Sequence, residues 1–274
     1  MTDTRSREPD IHLVAGEDVR PIVREKYGAI AEGKSSGCCG DGCGCGAGEV
    51  DVLGAIGYSA EQAAAIPEGA NLGLGCGNPL AHADLKPGEI VLDLGSGAGI
   101  DCFLAAREVG PTGRASGVDM TPAMIEKARA NAAKAGISNV QFRLGEIEHL
   151  PLPDASVDVV ISNCVVNLSP YKDQVFREAH RALRPGGRMV VSDLVLTRPL
   201  PPALKQRVDL LVGCVAGASL KDEYLRLIRE AGFGEVEVVS ETGYDVGLAN
   251  LAEGSAELEA FRAVRSLKVR ARKA

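Results

Sequence analysis

Apolar and polar positions along the chain follow two periods. Short apolar runs such as Val157-Asp158-Val159-Val160-Ile161 alternate with longer stretches in which apolar residues recur at helical spacing, as at Met124, Ile125 and Ala128. Runs of the first kind read as buried strands and stretches of the second as helices with one apolar face. The pattern predicts strand 90–94, helix 100–109, strand 114–118, helix 122–135, strand 140–144, strand 157–161, helix 171–183 and strand 187–193. Strands separated by helices pair in parallel and need cover on both faces, so the fold class is α/β. A helix over 222–231 and strands near 235–240 and 261–270 complete the sheet, closing with an antiparallel hairpin.

Thr121-Pro122 reads as an N-cap with proline at the first helical position. Arg184-Pro185-Gly186-Gly187 breaks the chain ahead of the strand at 187. Upstream, Val19, Ile22, Val23 and Tyr27 share one face of a helix that caps the main body. Ser35 to Gly46 sets Cys38, Cys39, Cys43 and Cys45 among glycines and reads as a flexible thiol-bearing loop. A second turn-rich stretch, Asn71 to Pro79, holds Cys76 between Gly75 and Gly77, and a proline-led, then apolar insertion over 200–218 holds Cys214. The expected domains are 1–70, a cap helix and Cys-rich loop; 71–245, the main domain with its insertion around 200–220; and 246–274, a C-terminal strand and basic tail.

Composition narrows the function. With 274 residues, 45% of them hydrophobic, the chain can bury a sizeable core. A net charge of −7 argues against a nucleic-acid partner, whose phosphates call for a basic surface. Arg262, Arg265, Lys268, Arg270, Arg272 and Lys273 are a local exception, read as the solvated face of a last strand and a fraying tail. No signal-peptide or membrane-span pattern occurs, so a cytoplasmic protein without a membrane partner is expected. In that reducing compartment the eight cysteines are core residues, catalytic thiols or soft ligands rather than a disulfide framework.

The most informative turn follows the first predicted strand of the sheet: Asp93-Leu94-Gly95-Ser96-Gly97-Ala98-Gly99, running into Ile100-Asp101-Cys102. Glycine lets a ligand approach the backbone, and the N–H groups opening the next helix carry partial positive charge. The G-x-G-x-G spacing is one residue short of the dinucleotide fingerprint. Asp119, 20 residues beyond Gly99, stands at the tip of the next strand, where an acid accepts both ribose hydroxyls. A nicotinamide-type turn or a purely structural one would use the same glycines. The D-L-G lead-in and the short spacing favour the nucleoside site of S-adenosylmethionine-dependent methyltransferases, which the pair resembles.

Cys164 follows the fourth strand at the sheet edge where a methyl group would be presented, whereas Cys102 reads as core filler. Cys76, Cys164 and Cys214 are single thiols near turns or small residues. Thiolates prefer soft ions. Closed zinc sites use paired cysteines, and apart from Cys39 and Cys43 these thiols are scattered, with none of the four histidines beside a cysteine.

Asn71 to Pro79, the glycine turn, Gly117-Val118-Asp119-Met120-Thr121 and Ser162-Asn163-Cys164-Val165-Val166-Asn167-Leu168 together resemble the arsenite S-adenosylmethionine methyltransferases, over about residues 18–245. The resemblance implies a Rossmann-like class I methyltransferase fold, a mostly parallel seven-stranded sheet with helices on both faces and an N-terminal helical, Cys-rich extension. It implies arsenite, or its thiol conjugates, held by Cys76, Cys164 and Cys214 as catalytic thiols, with a further ligand at either Cys38 or Cys39. It also implies S-adenosylmethionine as cofactor, a thiol reductant such as glutathione or thioredoxin, and arsenic detoxification by successive methylation. On the cofactor side, Asp93, Gly95, Ser96 and Gly97 would surround the amino-acid part, and Asp119 and Met120 the ribose and adenine. Glu146 and Ile147 would meet the adenine amine edge, and Asn163 would orient the methionine end through its carbonyl.

The chemistry agrees with that reading. Trivalent arsenic held by three sulfurs keeps a lone pair, so attack on a sulfonium methyl needs positioning rather than a general base. Cys164, beside the sulfonium charge, is a candidate for a lowered thiol pKa. Two rival readings use the same residues: a methyltransferase of a small organic acceptor with incidental cysteines, and a thiol-rich metal or metalloid binder built on Cys38 to Cys45.

Overall fold

The structure, a computed structural model, describes residues 18–35, 52–244 and 255–274. Helix α1 (Arg20–Ala31) and two short helices, α2 (Val52–Ala55) and α3 (Ala60–Ala65), precede the sheet. The alternating part runs β1 (Ile90–Leu94), α4 (Ile100–Val109), β2 (Arg114–Asp119), α5 (Pro122–Ala135), β3 (Val140–Leu144), β4 (Val157–Asn163), α6 (Lys172–Ala182) and β5 (Leu183–Leu196). Short helices α7 (Pro202–Lys205) and α8 (Val208–Val212) follow, then α9 (Lys221–Glu230), β6 (Glu235–Gly243), α10 (Ala256–Phe261) and β7 (Val264–Arg272).

The strands form one seven-stranded sheet in the order β3-β2-β1-β4-β5-β7-β6. Strands β1 to β5 pair in parallel, and β7 lies antiparallel between β5 and β6. Side chains alternate across a strand, so β1 sends Leu92 and Leu94 into one core with Phe176 and Tyr224, and Val91 into the other with Phe103 and Ile125. Each such buried side chain contributes about 1.5–3 kcal/mol. From β1 the chain moves outward to β2 and β3, then crosses back to β4. The order reverses between β1 and β4, and a ligand crevice opens at the carboxyl ends of such strands.

Local signals and pairing disagree in three places. Arg184 to Gly187 does not break the chain: it lies inside β5, where Leu183 pairs with Val157 and Arg188 with Val159, so the extra residues form an irregularity in a continuous strand. The C-terminus does not fray. Lys273 donates its backbone N–H to Gly187 O at 2.9 Å, and its ammonium reaches His180 O at 2.7 Å and Leu183 O at 2.8 Å. Thr121 precedes α5 without a side-chain cap; its own N–H is bonded by Asp119 instead. Because β7 pairs with both β5 and β6, the sheet continues past residue 245. Among the described residues no helix is long and apolar enough to cross a membrane.

Candidate active site

The β1–α4 turn is built from backbone that side chains rarely adopt. Gly95, Gly97 and Gly99 have φ of 68°, 51° and 102°, the left-handed region that favours glycine. A Cβ on Gly95 would stand 2.3 Å from Val165 Cγ2. The Gly95 and Ser96 N–H groups bond Val118 O at 2.8 and 3.1 Å, and Asp119 accepts from Gly97 N at 3.0 Å, so the turn is locked to the end of β2. The turn borders a cavity of about 1410 Å³, a volume that includes the open solvent at its mouth. Asp93, Gly95, Ser96, Gly97, Asp119, Met120, Ile147 and Asn163 all line it.

The cavity floor is acidic. Burial raises the Asp93 carboxyl well above the usual range, with the Asp101 charge adding to it, and burial holds Asp101 at about 6. Asp119 is raised by burial as well. Among the described residues neither Asp93 nor Asp101 has an ion-pair partner, and Ser96 Oγ is buried without a hydrogen bond. Unpaired buried acids beside a glycine cradle fit a ligand that carries positive charge and polar groups. S-adenosylmethionine, with its sulfonium and ammonium, has that character.

The opposite wall carries sulfur. Cys164 follows β4 and Cys214 follows α8, with φ of 59° and 62°; non-glycine residues held there mark strain at a site that its surroundings fix. Both line the cavity. Cys76 lies behind them and is joined to Cys164 by a disulfide, with Cα atoms 5.7 Å apart. Cys214 Sγ donates to Cys164 O at 2.8 Å. Cys76 is therefore joined to Cys164, and Cys214 bonds the Cys164 backbone; of the three, Cys164 and Cys214 line the cavity and Cys76 does not. The bonded Cys164 does not titrate in this state, so the lowered thiol pKa expected for it does not apply here.

Asp193 stands beside the disulfide, a carboxylate oxygen within 4.8 Å of both sulfurs. Its oxygens are already occupied by Asn167 Nδ2 at 2.8 Å, Leu194 N at 2.9 Å and Tyr224 Oη at 3.1 Å. It ties β5 to α9 and to the turn after β4. Helix α1 secures Cys214 from the other side, with Tyr27 Oη donating to Val212 O at 3.1 Å.

One expected cofactor residue is not among those that line the cavity: the Glu146 carboxylate pairs with Arg20, itself a lining residue, at 2.8 Å and with Arg24 at 3.3 Å, while Ile147 and Glu148 line the cavity. A loop acid beside two arginines of α1 is drawn to them. Asn163 lines the cavity, and its side-chain amide holds the Cys76 segment: Oδ1 accepts from Cys76 N at 3.1 Å and Nδ2 donates to Gly77 O at 2.7 Å. Cys102 is fully buried and donates to Asp93 Oδ2 at 3.5 Å. Cys38, Cys39, Cys43 and Cys45 lie outside the described residues. Sequence reasoning passed over Tyr58, Asp101, Glu148 and Ser169, which also line the cavity. Only Asp101, an acid in the first turn after the glycines, gave a usable signal.

Fold and glycine turn define the class: the chain carries a methyltransferase domain, and the family model described as "Methyltransferase domain" matches residues 85–232. An arsenite methyltransferase of Halobacterium salinarum is 54% identical over 231 residues, covering 81% of this chain and 59% of that protein. The Homo sapiens arsenite methyltransferase is 39% identical over 152 residues, 52% of this chain and 40% of that one. The crystal structure of CrArsM, an arsenic (III) S-adenosylmethionine methyltransferase from Chlamydomonas reinhardtii, is 37% identical and superposes with a TM-score of 0.61, covering 81% of this chain and 72% of that one. The chain belongs to the arsenite methyltransferase family, and it spans 59% and 40% of the length of these two curated relatives.

Proposed function

We propose that the protein methylates trivalent arsenic with S-adenosylmethionine, in a reducing cytoplasm, as a step of arsenic detoxification. The single observation that supports the reading is that Cys76 is joined to Cys164, and Cys214 bonds the Cys164 backbone, beside a cavity that Cys164, Cys214 and the glycine turn line together. The names of the relatives support it.

The Cys76–Cys164 disulfide must first be reduced. A thiol reductant such as glutathione or thioredoxin takes the bond, two thiols of the reductant becoming one disulfide while Cys76 and Cys164 regain their protons. Arsenite then exchanges its three hydroxyls for the three sulfurs, and each thiol proton leaves with a hydroxyl as water. Three sulfur ligands leave the arsenic lone pair free. S-adenosylmethionine supplies an electrophilic methyl group. Asp93, Gly95, Ser96 and Gly97 would hold its amino-acid part, and Asp119, Met120 and Ile147 its nucleoside. Strained backbone at Cys164 and Cys214 fixes the sulfurs, so orientation supplies the acceleration and no base is required.

The experiment is production of methylated arsenic from arsenite and S-adenosylmethionine with a thiol reductant. Cys164→Ser and Cys214→Ser are expected to lower the rate at least about a hundredfold, as loss of a reactant's positioning does. An unchanged rate in either variant, or methylation of an organic acceptor that ignores arsenite, overturns the reading.

A further inference from the structure

Asp93, Asp101 and Asp119 line the cavity around the glycine turn, on the donor's side. Asp193 stands elsewhere. It is 1% exposed, does not line the cavity, and has a carboxylate oxygen within 4.8 Å of the Cys76 and Cys164 sulfurs. Among the described residues no other acid is grouped with both sulfurs. Cys164 borders the cavity whereas Cys76 and Asp193 do not, so Asp193 lies behind the sulfurs as seen from the donor's pocket.

Three donors converge on this carboxylate: Asn167 Nδ2 and Leu194 N on Oδ1, and Tyr224 Oη on Oδ2. Donors aimed at a carboxylate favour its charged form. They also occupy its oxygens, and arsenic prefers sulfur, so Asp193 is not a further arsenic ligand. The Lys172 charge favours the anion as well, but its ammonium bonds Ser169 O at 3.3 Å and among the described residues forms no ion pair with Asp193. The result is a negative charge held in place behind the sulfurs and not neutralised by contact.

Methyl transfer moves charge toward that point. The arsenic lone pair forms the arsenic–carbon bond while the sulfonium's sulfur–carbon bond breaks. The electron pair of the broken bond stays on the donor's sulfur, which becomes neutral, and arsenic with its three sulfur ligands becomes cationic. Positive charge thus leaves the neighbourhood of Asp93, Asp101 and Asp119 for the sulfur side. Only an interaction that strengthens along the reaction lowers its barrier, and a fixed charge placed where charge develops in a water-poor site does this. We infer that the Asp193 carboxylate stabilises the positive charge that arsenic acquires with the methyl group, and so speeds the transfer without contributing to arsenite capture. The inference rests on the function proposed above, since it takes S-adenosylmethionine as donor and Cys76 and Cys164 as arsenic ligands. Asp193 acts across the two sulfurs and touches neither arsenic nor donor.

The test separates capture from transfer on the full chain, reduced with a phosphine that offers no competing thiol, at about pH 8, above the value of about 7 that burial gives this carboxyl. Calorimetry gives arsenite affinity, and rapid quench of a single turnover gives the rate of S-adenosylhomocysteine formation. Asp193→Asn is expected to slow the single turnover about tenfold or more. Its arsenite affinity is expected to stay within about twofold of the wild type, because arsenite and three thiols give an uncharged complex. Should Asp193→Asn not fold, Asp193→Ser, which also removes the charge, takes its place. An unchanged single-turnover rate overturns the inference. So does a parallel loss of rate and affinity, which is what a purely structural tie would give. Absence of arsenite-dependent turnover in the wild type would instead overturn the functional reading, so the two failures are distinguishable.

Discussion

At the scale of single residues, the sulfur-bearing side of the cavity depends on how closely backbones approach. A Cβ built on Gly217 would stand 2.1 Å from Asn167 O, a backbone atom that no rotamer change can move. Gly234, in the turn before β6, has nothing within 4 Å of the same position. Gly217→Ala must push the Cys214 turn away from the residues that follow β4, and overpacking of this kind costs about 1–3 kcal/mol. Gly234→Ala is expected to stay within about 0.5 kcal/mol of the wild type. Denaturant unfolding measures both, and arsenite titration of the same two proteins should show weakened capture in Gly217→Ala only. Equal stability of the two variants would show that the Cys214 turn tolerates displacement. The sequence marked Gly217 only as one small residue among several near Cys214, because a close approach between residues 50 positions apart leaves no trace in local spacing. Glu146 shows the same limit: an acid after a strand is visible in the sequence, but its pairing with Arg20 and Arg24 of α1 is not.

At the scale of elements, β5 carries the link between the sulfur wall and the helical layer, through Asp193. Burial raises this carboxyl from 3.8 to about 7, against the hydrogen bonds from Leu194, Tyr224 and Asn167 that favour its charge. A raised acid contributes stability that is fully present below about pH 4, its unfolded value, and is lost as pH rises through about 7. Asp193→Asn keeps the shape without the titration: its amide can donate to Tyr224 Oη while its oxygen keeps the Asn167 and Leu194 donors. The wild type is therefore expected to lose stability relative to Asp193→Asn across about pH 4 to 7, read as the difference between the two Tm profiles. A constant difference over that range would mean that Asp193 is charged throughout. Elements with a clear period were legible: β1 and α4 fall at 90–94 and 100–109 in both the apolar pattern and the structure. Of β5 only the body was, as strand 187–193; its start at Leu183 was not, because Pro185-Gly186-Gly187 is a local stop signal that pairing with β4 and β7 overrides.

At the scale of the molecule, the site is a clasp on three distant pieces of chain, and its state should register in global stability. Periodicity located the strands at whose ends Asp93, Asp119 and Cys164 stand, but nothing in the spacing brings together Cys76 and Cys164, 88 residues apart; that expectation came from resemblance alone. A disulfide closing a loop of that size restricts the unfolded chain and contributes about 4–5 kcal/mol on the chain-entropy account. Reduction should therefore lower Tm while freeing two of the three sulfurs. On the function proposed above, arsenite would bind the folded arrangement in preference to the unfolded one and so stabilise it by mass action. It would also rejoin the Cys76 and Cys164 segments and add Cys214 as a third point, which the disulfide does not include. Calorimetric scans of the oxidised chain, the phosphine-reduced chain and the reduced chain with arsenite should thus give a fall followed by a recovery. In Cys214→Ser the fall should match the wild type, since the disulfide is untouched, and the recovery should be smaller. A recovery of equal size in Cys214→Ser would mean that arsenic is held at two points here, with its third ligand coming from elsewhere in the chain.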